Sequence, residues 1–148
     1  MRAAKILFVM ASILVILGGV AHFVGQFGGK EEGRVAVIEQ MKNYKIPPEN
    51  GQFSLWDVMQ AFGVGLGASI IWYGILNLVL AGYLAERPAI LRNAALVNAG
   101  AMLTFALVVV YFRIFPPAAV ISPSWIVYVL AAIFAQRASG QMASASRT

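Results

Sequence analysis

The chain contains no cysteine, which excludes disulfides, thiolate metal sites, iron–sulfur clusters and thiol redox chemistry together. It has one histidine, His22, too few for a histidine-based metal site within one subunit. Charge is scarce: 11% of the 148 residues are Asp, Glu, Lys or Arg, against roughly 25% in a soluble domain. The net charge of +5 does not point to nucleic acid, because the basic residues are scattered over block ends and loops and never interleave with aromatics. No catalytic, nucleotide or metal motif occurs, so no catalytic residue, metal or cofactor is expected.

What the chain does hold is apolar sequence in long blocks, 60% of its residues being hydrophobic. The first block runs from Ile6 to Phe27 behind Arg2 and Lys5. About 22 residues at 1.5 Å rise reach roughly 33 Å, enough for a ~30 Å hydrocarbon core. A secretory signal peptide cleaved after Ala21 is the rival reading, since Arg2 and Lys5 precede an apolar run and small residues follow at Gly19 and Ala21. The apolar stretch continues to full spanning length, which favours a retained helix. Further blocks place spans over residues 55–83, 89–114 and 118–136. The second opens on Ser54-Leu55-Trp56-Asp57, a capping box in which serine and aspartate satisfy each other's backbone N–H groups. Pro88 suits the first turn of the third, where its missing N–H costs nothing. Pro116-Pro117 is expected to stop that span, and Ser122-Pro123 to start a short fourth one. Residues 138–148, rich in Ser and Ala, read as a flexible tail.

Between the first two spans lies the only long hydrophilic segment. Val37, Ile38 and Met41 fall on one face of a short amphipathic helix there, suited to the membrane surface, and Pro47-Pro48 ends it. The fold expected is therefore all-α: one integral membrane domain, a four-helix bundle with an amphipathic segment between helices one and two. Arg2 and Lys5 before the first span favour a cytoplasmic N-terminus, and four crossings return the C-terminus to the same side.

Four spans in a chain of this length resemble the DoxX-like group of small four-helix bacterial membrane proteins. The resemblance rests on topology and length. It implies a bacterial inner-membrane location and a membrane-embedded accessory or redox-associated role. Small multidrug exporters share the helix count, but no Asp or Glu lies inside a span here. Vitamin-K-reductase-like proteins need the cysteines this chain lacks.

Polar residues in a span are functional candidates, because lipid offers them no partner; the competing role is helix glue. An up-down-up-down arrangement brings His22, Gln26, Asp57, Gln60, Arg113 and Ser122 toward the outer side, with Asp57 and Arg113 placed for an ion pair. The function expected is that of a non-enzymatic accessory protein or oligomeric bundle; the alternative is a binder or carrier of a hydrophobic small molecule, a quinone, lipid or tetrapyrrole, at that cluster. A proton-coupled transporter using His22 is the weaker alternative. Gly63, Gly67 and Gly74, continued by Asn77 and Ala81, form a small-residue seam for close helix packing, within the subunit or across an oligomer. Asn98 on the third span is placed to pair with Asn77. The expected partners are the bilayer, further copies of the chain or a larger membrane complex, and no nucleic acid.

Overall fold

A computed structural model describes residues 1–27, 32–46, 53–84, 86–111 and 115–145, with side chains at all of these except 32–34, 115–122, 142, 143 and 145. The described chain is helical almost throughout. Its elements are α1 (Arg2–Phe27), α2 (Glu32–Asn43), α3 (Leu55–Leu84), α4 (Pro88–Tyr111) and α5 (Phe115–Ala145). Among the described residues the only strand-like pairing is an isolated antiparallel bridge between Lys45 and Ser54.

Helices α1, α3 and α4 are each long and apolar enough to cross a bilayer, the mark of an integral membrane protein. Their burial pattern inverts that of a soluble protein. The buried side chains include Ala4, Ala11, Ala95, Ala99, Ser12, Asn77 and Asn98, whereas Trp72, Leu76, Val97, Leu107 and Tyr111 are exposed. In water that exposed apolar surface would drive aggregation. Lipid solvates it at no cost, and small buried residues let helix backbones approach closely.

The chain divides into two compact units: Met1–Gly18 with Ile70–Thr148, and Gly19–Ser69. In the larger unit α4 and α5 pack along each other. Its core takes Phe8 and Val15 from α1, Ala81 from α3, Leu91 and Met102 from α4, and Tyr128, Ala131 and Ala135 from α5. The Phe8 and Tyr128 rings meet edge to face, centroids 5.3 Å apart at 69°. This is a favoured aromatic geometry, and it ties α1 to α5.

In the smaller unit α2 ends at Asn43, ahead of Pro47, and the chain then pairs briefly with the approach to α3. Ile46 N–H donates to Phe53 O at 3.0 Å and Leu55 N–H to Tyr44 O at 2.9 Å. On α2 the side chains of Ile38 and Met41 are half-buried, while Val37, expected on the same face, is exposed. Its position about 100° from Ile38 puts it at the margin of that face.

Helix α5 departs at both ends from the fourth span expected. It begins at Phe115 and not near Ser122-Pro123, so Pro116 and Pro117 fall in its first turn and Pro123 in its interior. A first-turn proline loses nothing, which lets a proline pair open a helix as readily as end one. The helix also continues to Ala145, through most of the segment read as a tail. Alanine is the strongest helix former, and the serines there satisfy themselves locally: Ser139 Oγ–H donates to Ala135 O at 3.1 Å and Ser144 Oγ–H to Gln141 O at 2.8 Å. Helix α4 is described to Tyr111, and residues 112–114 of the third expected span lie outside the described residues.

Candidate functional site

The outer-side candidates fall into separate small contacts. In the smaller unit His22 is half-buried on α1, and its Nε2 lies 3.2 Å from the Gly63 carbonyl of α3. A carbonyl only accepts, so in this contact the ring nitrogen is the donor. The Gln26 amide lies one turn further on, its Nε2 3.4 Å from the same ring nitrogen. It also lies against the α-carbon of Gly63, where a methyl group would collide with it. His22, Gln26 and Gly63 thus form one local contact between α1 and α3.

Asp57 does not join them. Its Oδ2 accepts from the Ser54 backbone N–H at 2.8 Å and from Ser54 Oγ at 2.6 Å, while Ser54 Oγ lies 3.2 Å from the Asp57 backbone N. This is the reciprocal capping box, and it consumes the carboxylate at the start of α3. Gln60 is half-buried two turns from Gly67. Arg113 lies outside the described residues, as does the side chain of Ser122, so the ion pair between Asp57 and Arg113 falls outside them too.

The glycines of α3 turn toward α1. At Gly67 an added Cβ would sit 3.2 to 3.3 Å from Cβ, Cα and N of Phe23. At Gly74 it would sit 3.0 Å from the Ser12 carbonyl oxygen and 3.2 Å from Ile16 N. Gly65, by contrast, has nothing within 4 Å. It belongs to a shallow apolar groove of about 430 Å³ lined by Ala61, Phe62, Gly65, Leu66 and Ser69. Successive helix residues are 100° apart, so Gly65 lies about 200° from Gly63. The groove therefore occupies the face of α3 opposite His22, and the two do not combine into one pocket.

The larger unit holds further buried polar side chains. Asn98 on α4 accepts at Oδ1 from Asn77 Nδ2–H of α3 at 2.8 Å and from the hydroxyl of Tyr73, one turn before Asn77. Its own Nδ2–H donates to the Ala94 carbonyl at 2.7 Å. On the α1–α5 side Ser12 Oγ–H donates to Phe8 O at 2.8 Å and lies 3.1 Å from the Tyr128 hydroxyl. With the serine proton committed to Phe8, the tyrosine is the donor of that pair. Ser12, Asn98 and Tyr128 sit near the middle of their helices, and Asn77 about two turns before the end of α3. No buried side-chain nitrogen or oxygen among the described residues lacks a hydrogen-bond partner.

Asn77 and Asn98 stand out in the sequence as isolated amides, but Ser12, Tyr73 and Tyr128 do not. Tyrosine normally marks the interface, where its ring is apolar and its hydroxyl wet. The available signal was position: Tyr128 lies in mid-span, and Tyr73 lies four residues before Asn77 on one helix face. A single serine inside an apolar run gives no such signal, because it can bond its own helix.

Comparisons with protein-family models, curated proteins and solved structures find no match to this chain.

Proposed function

We propose that this chain is a non-enzymatic integral membrane protein, a four-helix bundle of α1, α3, α4 and α5 that serves as an accessory or oligomeric subunit. The observation that carries the reading is the closure of the buried polar groups on one another. Asn98 engages Tyr73 and Asn77, and Ser12 engages Tyr128, so the side chains a substrate would need are already paired. Such bonds add roughly 0.6 kcal/mol each in a membrane, enough to fix helix register without creating a reactive group. The glycine seam contacts α1 of the same chain, so assembly would use other, lipid-facing surfaces. In this reading α5 is the fourth crossing, α2 lies at the outer surface, and both termini face the cytoplasm of a bacterial inner membrane.

A second reading is a binder or carrier of a hydrophobic molecule, such as a quinone, lipid or tetrapyrrole. It draws on His22, the chain's one imidazole, half-buried where α1 meets the Gly63 carbonyl of α3.

Purification of the full chain in mild detergent separates the two. The mass of the particle, its absorbance spectrum and its extractable small molecules are measured together. A colourless particle of defined stoichiometry above one chain supports the accessory reading. A monomer loaded with one quinone or tetrapyrrole, and emptied by His22→Ala, would replace it with the second.

A further inference from the structure

One end of the larger unit carries a concentration of cations and almost no carboxylate among its described residues. Met1 and Leu84 pack against the core there, beside the fully buried Ala4, Leu91 and Ala135. Around this last layer stand Arg2 and Lys5 on α1, Arg87 just before α4, Arg92 in its second turn, and Arg137 on α5. Glu86 is the one carboxylate among the described residues of that end. Among the described residues none of these five cations has a carboxylate partner. Two of them are held in place by neutral groups. Arg92 donates from Nε and Nη2 to Asn93 Oδ1 at 3.2 and 3.0 Å. The guanidinium of Arg137 lies 5.7 Å from the centre of the Phe134 ring, a cation–π contact that keeps it beside an apolar side chain.

In a chain embedded in a membrane, cations within about two turns of apolar helix surface would lie at the level of the bilayer headgroups. The chemistry that meets them there is the phosphate of a lipid. We propose that this rim, Arg2, Lys5, Arg87, Arg92 and Arg137, binds anionic phospholipid headgroups in the adjoining leaflet. Charge complementarity selects the occupant. The guanidinium of Arg137 suits phosphate by planar, forked donation, Arg92 keeps its Nη1 donors beyond the pair given to Asn93, and the exposed Arg2, Lys5 and Arg87 add unneutralised positive potential around them. A zwitterionic headgroup brings its own cation and is disfavoured by the same field. The inference needs only that the chain is embedded in a membrane, and it stands whether or not the chain assembles.

The test uses the purified full chain in an uncharged detergent, titrated with dioleoyl phosphatidylglycerol or dioleoyl phosphatidylcholine, with bound lipid read by native mass spectrometry. The expected result is tighter retention of phosphatidylglycerol, weakening as salt is raised. Arg87→Gln with Arg92→Gln should weaken that retention by about five-fold for each cation removed. Arg137→Gln, at a separate helix, should weaken it on its own by a similar step. Lys42→Gln with Lys45→Gln removes the same charge beside α2 and should leave retention unchanged. Equal retention of the two lipids overturns the proposal. So does full retention in the rim variants, or an equal loss in the Lys42/Lys45 variant, which would reduce the effect to net charge.

Discussion

A methyl group added at position 74 would have to fit between α3 and the backbone of α1. Its carbon would lie 3.0 Å from the Ser12 carbonyl oxygen and 3.2 Å from Ile16 N, where ordinary contact begins at 3.4 Å. Ile16 Cγ1 would lie closer still, at 2.5 Å, but a side chain can shift; the two main-chain atoms cannot rotate away, so α1 must retreat by about half an ångström or less. Overpacking of this kind costs typically 1–3 kcal/mol. The helix-propensity gain of alanine over glycine is about 1 kcal/mol at most. Gly74→Ala should therefore destabilise the chain by up to about 2 kcal/mol. Gly82 lies on the same helix with nothing within 4 Å, so Gly82→Ala should be neutral or slightly stabilising. Unfolding by dodecyl sulfate in mixed micelles, followed by circular dichroism and tryptophan emission, measures the difference. Equal stabilities for the two variants would refute the close approach of α1 at Gly74.

Asn98→Leu keeps the volume but leaves Tyr73 and Asn77 without their shared acceptor; in the same unfolding assay it should cost about 1–3 kcal/mol, and a change below about 0.5 would contradict the polar layer. Tyr128→Phe removes one hydrogen bond and keeps the edge-to-face ring, so a loss near 0.6 kcal/mol is expected, whereas Tyr128→Ala should lose about 3–5. If both cost the same, the ring packing described for Phe8 and Tyr128 is wrong. Ser54→Ala breaks the capping box and should cost about 1 kcal/mol, visible as faster amide exchange over the first turn of α3 with the rest of that helix unchanged. Unaltered exchange there would remove the cap from the account.

Long apolar blocks were legible in the sequence because lipid imposes a length and a composition that few other environments demand. The start of α3 was legible for a similar reason: Ser54 and Asp57 at that spacing have one strong local use. The limits of α5 were not. Pro116-Pro117 is compatible with ending one helix or opening the next, and Ala138 to Ala145 carries high helix propensity beneath a polar surface. The outer cluster was assembled from residues sharing a depth, but depth does not say which face a side chain takes. His22 and Gln26 meet the Gly63 backbone, while Asp57 turns back to Ser54. The buried layer was half legible, because asparagine in a span is conspicuous and serine and tyrosine are not.

The central proposal is a bundle in which four helices cross the membrane, and the absence of native cysteine makes it directly testable. Single cysteines at Lys45, Glu86 and Gln141, all exposed positions, are labelled in intact cells and in inverted vesicles with a membrane-impermeant maleimide. Four crossings predict that Glu86→Cys and Gln141→Cys label together from the cytoplasmic side and Lys45→Cys from the other. Labelling of Gln141→Cys together with Lys45→Cys would mean that α5 does not cross, and would contradict the account.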